Sequence, residues 1–470
     1  MCAVLVAAAG AAGCTSHAKT APDGLISPQE EAKIGAAAHP EIVAQFGGSY
    51  RNPQLTSHLK GIVGRLTKST GGSASDYRLT VLDTPTVNAF AAPGGYLYVT
   101  RGLLALANDE AEVAGVLAHE LGHLDARHGA KRQVAAQRVS LLGSLTGSLH
   151  QSDRLPLIGT RRVAAYSRGQ ELQADKLGMA KAAGARYDPN GAVSFLTNLQ
   201  RRFKLNAEVT GSEPLAAGGG MFSSHPGTGE RIAAARSYGL SFGDLSTGYY
   251  RNRDAYLNLI DGLTYGENPG RGIIRGQTYF QPALRIRFTA PKGFEIANLK
   301  DTVLVRGPDE AAVIIDGAEV DEDTVLKRHV VYAWGEGLDL KNVRSFTVNG
   351  LQAVSAETMH KGVGHELVAV RIAPRAVYRF LFITRPVVTA RYEKKFRAMV
   401  ASFRKLTDAE LNDLRPLRIR VVEVEKGDTV KRIARRMAVA DRQVERFRVL
   451  NGLDTDAELV PGQRVKIIGN

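Results

Sequence analysis

The chain is poor in cysteine: its 470 residues include only two, Cys2 and Cys14. So few thiols exclude a disulfide-built scaffold and a zinc site made of cysteines. Long apolar runs are also missing. No stretch reaches the ~20 continuous apolar residues of a membrane helix, which excludes a chain that crosses the bilayer repeatedly by helices. Acid is in short supply, with 47 Asp and Glu against 61 Lys and Arg and a net charge of +14. That balance favours anionic membrane surfaces or cell-wall polymers. Nucleic acid would compete for such a surface, but no recognised binding motif is present and an exported chain meets little of it.

Export is read from the first residues. Ala3 to Ala12 form a short Ala-rich apolar run followed by Gly13-Cys14-Thr15, the pattern of a secretory signal and too short to span a bilayer. Ala11-Ala12-Gly13-Cys14 resembles a bacterial lipobox, and the resemblance implies cleavage before Cys14 and a lipid on its sulfur. A plain signal peptide with an incidental cysteine is the alternative. The expected location is the periplasm, anchored to the outer membrane as a lipoprotein.

The strongest feature present is His119-Glu120-Leu121-Gly122-His123, a complete HExxH segment. Residues four apart on a helix share a face, so both imidazoles can reach one metal ion. Glu120 stands beside the first ligand, where it can act on a water instead of binding the metal. Asn108-Asp109 offers an N-cap, Glu110 and Glu112 suit a first turn, and Val113, Val116, Leu117 and Leu121 supply an apolar series. A chance match on an ordinary amphipathic helix is the bland reading. Two histidines also leave a catalytic zinc short of its three protein ligands.

Glu171, within Tyr166 to Asp175, is the best third ligand. It lies four residues before Asp175 on another predicted helix, so the two carboxylates share a face. Glu171 on zinc and Asp175 on the free ring nitrogen of a histidine is the natural division. A solvated helix with ordinary surface charges is the alternative. His225, before the Pro226-Gly227 turn, could approach the same ion, although a lone loop histidine is usually just solvated. Arg231 could stabilise a developing oxyanion.

Taken with Asn88-Ala89-Phe90, Pro93-Gly94-Gly95-Tyr96 and Thr100-Arg101-Gly102-Leu103, this set resembles the HtpX/BepA-type zinc metalloproteases over about residues 25–265. The resemblance implies zinc ligands His119, His123 and Glu171, one Zn2+ per chain, and Glu120 as general base. It further implies that His225 can block the site as an extra ligand and that Arg231 belongs to the same region. Substrates implied in this way are unfolded or misassembled envelope proteins.

The strand-like Gly95 to Thr100 is a candidate edge for holding an extended substrate. Residues 207–228 are rich in Gly, Ser and Ala and predict a lid-like or merely passive loop. After a Gly-rich stretch from Gly266 to Gly276, residues 277–405 read as an α+β domain of unknown role. Its strands are expected at Leu284–Phe288, Val303–Val305, Ala312–Ile315 and Tyr378–Phe382, with a closing helix from Tyr392 to Phe403.

Residues 416–470 resemble a LysM module, the small βααβ domain that binds N-acetylglucosamine-containing glycans such as peptidoglycan. Gly427-Asp428-Thr429 would open its first helix with Asp428 or Thr429 as cap, and Pro461-Gly462 would turn into the last strand. Arg435, Arg436, Arg442, Arg446 and Arg448 crowd its helices, so docking on protein or membrane is the rival use. The expected fold class is therefore multidomain α+β. It comprises a signal segment at 1–14, a mainly helical zincin-type metalloprotease domain at 25–265, the α+β middle domain and the LysM-like module. An envelope chaperone with a latent zinc site and a peptidoglycan-associated hydrolase are the competing functions.

Overall fold

The computed structural model describes residues 26–132, 166–210, 221, 225, 228–243, 248–268, 270, 272–299, 302–360, 362–414, 416–439 and 441–469. The signal and lipobox at 1–14, and Gly218-Gly219-Gly220 of the Gly-rich loop, lie outside these residues. No helix among the described residues is long and apolar enough to cross a membrane.

The first part is helical around a small sheet. Helix α1 (Pro28–Gln45) is capped by Ser27, and α2 (Pro53–Lys68) by Asn52, whose side chain accepts from Leu55 N. Leu55, Leu59, Ile62, Val63 and Leu66 recur at helical spacing in α2 and are all buried. Next comes a three-stranded sheet in which Tyr96–Thr100 is the middle strand, parallel to Arg78–Leu82 and antiparallel to Ala89–Ala92. This corrects the expectation of a substrate edge at Gly95 to Thr100. Both backbone edges of that strand are already paired and every one of its residues is buried. The edge facing the HExxH helix is Ala89–Ala92.

Helix α3 (Arg101–Leu106) leads directly into α4 (Glu110–Asp125), which carries HExxH. Asp109 is the N-cap of α4 and accepts from Glu112 N at 2.9 Å. Helices α5 (Arg168–Gly184), α6 (Asn190–Thr210), α7 (Thr228–Gly239) and α8 (Arg253–Ile260) complete this part. Helix α4 is buried on all sides from Glu110 to His123. Two glycines allow α5 to lie directly on it. A Cβ on Gly178 would stand 2.8 Å from His119 N, and one on Gly122 would stand 2.8 Å from Ala174 O.

The middle part has its own core. Among the described residues a seven-stranded antiparallel sheet runs in the order Lys341–Val348, Leu351–His360, Val363–Ala373, Ala376–Thr384, Ala312–Glu319, Thr302–Arg306, Glu295–Asn298. A four-stranded sheet and the helix Thr389–Ala401 pack with it, burying Phe288, Phe380, Phe382, Phe396 and Phe403. The expected strand at Leu284–Phe288 is shifted. Pro282–Leu284 is a 3-10 turn and the strand is Ile286–Thr289, because Arg285 takes a left-handed conformation (φ 54°) between them.

The C-terminal module has strand Leu417–Glu423, helices Val430–Ala434 and Gln443–Asn451, and strand Arg464–Gly469. Thr429 caps the first of these helices, accepting from Arg432 N at 3.2 Å. The two strands pair with each other, and Thr264–Tyr265 adds a third strand beside Leu417–Glu423. Ile419, Phe447, Leu450 and Val465 belong to the same buried cluster as Leu117 and Leu121 of α4. Lys466 also reaches inward: its ammonium donates to the carbonyls of Ala105, Leu106 and Ala107 at 2.8, 3.1 and 2.6 Å. Those carbonyls end α3, where a helix leaves acceptors unsatisfied and favours a cation. The C-terminal module is thus packed against the turn that starts the HExxH helix.

Candidate metal centre

Helices α4 and α5 bring together the residues singled out in the sequence. His119 and His123 point from one face of α4, and their Nε2 atoms stand 3.0 Å apart. From α5, Glu171 lies 3.6 Å from His119 Nε2 and 3.5 Å from His123 Nε2. His225 adds a fourth donor, with Nδ1 2.9 Å from Glu171 Oε1 and 3.3 Å from His119 Nε2. All four residues are buried, and one ligand atom from each lies within 4.8 Å of the others.

Do these donors fit the implied ion? A tetrahedral zinc with ligand bonds of about 2.0–2.1 Å sets its donor atoms roughly 3.3 Å apart. The closest separations in the cluster, from 2.9 to 3.6 Å, bracket that spacing. Neutral imidazole and ionised carboxylate are the binding forms. Burial pulls the His123 pKa down to about 2, so its ring is neutral at physiological pH. Burial would push the Glu171 carboxyl up, but its contacts with the cluster histidines outweigh it and keep it below the usual range. The donor set fits zinc.

Around the donors, contacts fix orientation. Asp175 Oδ1 stands 2.8 Å from His119 Nδ1 and accepts its proton, leaving the Nε2 lone pair for the cluster. Burial opposes ionisation of Asp175, yet Arg231 and His119 hold its pKa down at about 2. Arg231 donates from Nε and Nη2 to the two Asp175 oxygens at 2.8 and 2.7 Å. Its Nη1 lies 2.7 Å from Glu171 Oε2. The buried guanidinium is engaged with two carboxylates and braces the ligand side of the site.

Glu120 is different in kind. It is fully buried, neither of its oxygens has a hydrogen-bond partner, and its nearest ionisable contact is His225 Nε2 at 3.5 Å. Desolvation raises its pKa, partly countered by His225 and His119. An unpartnered carboxyl beside a metal-donor cluster is placed to take up and release a proton.

Sequence reasoning missed three neighbours. His128 Nδ1 stands 2.9 Å from His123 Nδ1, and His128 Nε2 3.1 Å from Gln173 Oε1. Tyr166 stacks on His123 at 3.8 Å between ring centroids, with the Arg132 guanidinium 3.9 Å over the Tyr166 ring. A further histidine five residues after HExxH was the available signal for the first of these. Helical spacing gave no reason to use it.

Residues 53–238 match the model of peptidase family M48, and residues 422–467 match that of the LysM domain. The chain is 30% identical over 214 residues to the mitochondrial metalloendopeptidase OMA1 of Schizosaccharomyces pombe, covering 44% of this chain and 60% of the relative. It is 28% identical over 198 residues to a putative beta-barrel assembly-enhancing protease of Vibrio cholerae, covering 39% of each. The chain therefore spans less than two thirds of the length of these relatives. Among solved structures, PsbP of the cyanobacterium Synechocystis covers 30% of this chain and 98% of its own, with 16% identity and a TM-score of 0.23. HExxH, Glu171, His225 and Arg231 all fall within the matched 53–238 segment, and the C-terminal module within the other. The chain thus carries a metallopeptidase domain of family M48 and, towards its C-terminus, a LysM domain.

Proposed function

We propose that the chain is a zinc-dependent endopeptidase of the bacterial cell envelope, with His119, His123 and Glu171 as metal ligands and Glu120 as general base. The observation that carries this reading is the buried donor cluster with an unpartnered carboxyl beside it. A zinc ion held there would polarise the scissile carbonyl and acidify the attacking water. Glu120 takes the water proton on a carboxylate oxygen and returns it to the leaving amine nitrogen. Asp175 keeps the His119 ring in its ligand tautomer, and Arg231 holds Asp175 and Glu171 in place. The strand Ala89–Ala92, which ends the three-stranded sheet and packs against α4, is the better candidate for holding an extended substrate.

Substrates in this reading are unfolded or misassembled envelope proteins, in line with the names of the beta-barrel assembly-enhancing relatives. The LysM domain supports contact with peptidoglycan. Export through the 1–14 segment, with a lipid on Cys14, would hold the chain at the outer membrane.

His225 favours a second, compatible reading, in which the resting site is closed. Its ring lies between Glu171 and Glu120, where an incoming carbonyl would have to sit. The test is cleavage of an unfolded protein such as casein. Glu120→Gln should keep its zinc and lose cleavage, and cleavage at the wild-type rate would overturn the assigned base. His225→Ala should cleave faster than wild type; an unchanged rate would remove the gate.

A further inference from the structure

The two histidines of HExxH are not held alike. His119 presents Nε2 to the cluster because Asp175 accepts from its Nδ1. His123 has no carboxylate at that position: its Nδ1 faces Nδ1 of His128 at 2.9 Å. His128 is as buried as His123, at 1% exposure. Its other nitrogen lies 3.1 Å from the side-chain oxygen of Gln173, which comes from α5 between Glu171 and Asp175.

We propose that His128 is a positioning residue that fixes the ligand tautomer of His123, and that Gln173 sets the direction of this relay. The logic is a count of protons. A neutral imidazole carries one N–H. Gln173 offers a carbonyl-type oxygen, which only accepts, so His128 donates from Nε2. Its Nδ1 then holds a lone pair and accepts, so His123 donates from Nδ1. The His123 lone pair is left on Nε2, the atom 3.0 Å from His119 Nε2 and 3.5 Å from Glu171 Oε1. The reverse tautomer would point a proton from His123 into the donor cluster and remove a ligand.

The backbone supports the assignment. Helix α4 ends at Asp125, and a histidine five residues beyond His123 would not share its face had the helix continued. Instead Arg127 adopts a left-handed conformation, φ 51°, which turns the chain back so that His128 meets His123. That conformation is unfavourable for a non-glycine residue and persists where neighbours over-determine it. Arg127 is tied down by Glu31 at 2.9 Å and by the carbonyl of Ile26. Helix α5 therefore grips both histidines, His119 through Asp175 and His123 through Gln173 and His128, while also supplying Glu171.

This proposal rests on the zinc reading of the site, and the experiment keeps the two apart. Zinc affinity of the full chain is measured by chelator competition, with folding followed by circular dichroism. A wild-type chain that takes up no zinc would sink the site reading itself. If wild type binds, His128→Phe, which keeps a ring but has no acceptor, should bind zinc about 10–100-fold more weakly. His128→Asn, whose Oδ1 can accept where Nδ1 did, should recover to within about threefold of wild type. Equal loss in both variants would mean a merely structural role, and no loss in the phenylalanine variant would also overturn the proposal. Should His128→Phe fail to fold, Gln173→Met at the exposed end of the relay decides. Weakening by about threefold or more supports it, and unchanged affinity refutes it.

Discussion

Replacing Lys466 by methionine keeps most of the side chain's length and removes its three donors. The ammonium is fully buried and serves the carbonyls of Ala105, Leu106 and Ala107. Leu106 O would keep the amides of Asn108 and Asn198 at 3.2 and 3.5 Å. The Ala105 and Ala107 carbonyls would lose their donor, at about 1–3 kcal/mol each. Glu112 would lose a neighbouring cation; its carboxyl is already pushed up by burial, as the Lys466 ammonium is pulled down. Release of a costly buried charge offsets part of this, leaving a loss of about 3 kcal/mol. Tryptophan fluorescence would miss it, because the single Trp is Trp334 of the middle part. Hydrogen exchange by mass spectrometry reads the right segment. Amides of residues 101–112 and 443–467 should open about 100-fold more often, with those of 376–384 unchanged. A change under about threefold in the first two segments would show that the lysine does not clamp the helix start.

Three further outcomes are expected. Gly178→Ala drives a methyl to 2.8 Å from His119 N, so α5 must retreat; stability should fall by about 1–3 kcal/mol and zinc affinity with it. Unchanged zinc affinity would mean that the helices part without moving Glu171. Glu110 is held at a pKa of about 2 where burial alone would raise it, because His58, Tyr187 and Arg65 bond to its carboxylate. Its contribution is therefore whole above the ordinary carboxyl pKa and is lost as pH falls from about 4.5 to about 2. Glu110→Gln should flatten that acid limb by about 2–3 kcal/mol in urea titrations, and parallel wild-type and variant limbs would refute the assignment. Chelating zinc should destabilise α4 and α5 relative to the loaded chain, by about 4 kcal/mol when free zinc was a thousand times Kd. Equal exchange rates in the two states would argue against a bound ion.

How much of this was legible beforehand depended on local repetition. HExxH, Glu171 and Asp175 declare themselves because helical spacing alone puts the pairs on shared faces. Asn108-Asp109 and Asp428-Thr429 were readable as cap sites for the same local reason, and Asp109 and Thr429 are the caps used. His225 was visible only as a histidine before a turn, since its approach to Glu171 spans 54 positions of sequence. His128 stayed hidden behind the left-handed Arg127, a conformation that composition does not announce in a residue other than glycine. The substrate edge was misjudged because Gly95 to Thr100 has an ideal strand composition, and composition does not distinguish a middle strand from an edge. The three strands between Lys341 and Ala373 went unread as well. Lys341–Val348 is largely exposed, so apolar alternation is weak there.

The pairing of Leu417 with Tyr265 has a consequence for how this chain is divided. The chain leaves the peptidase body at Tyr265, builds the whole middle sheet, and returns at Leu417 beside its point of departure. The middle part is therefore a guest, spliced into a host whose two halves are neighbours in space. Such a host should close without its guest: a short bridge from Gly266 to Leu417 would join adjacent strands and leave the LysM strand, Lys466 and the HExxH helix in contact.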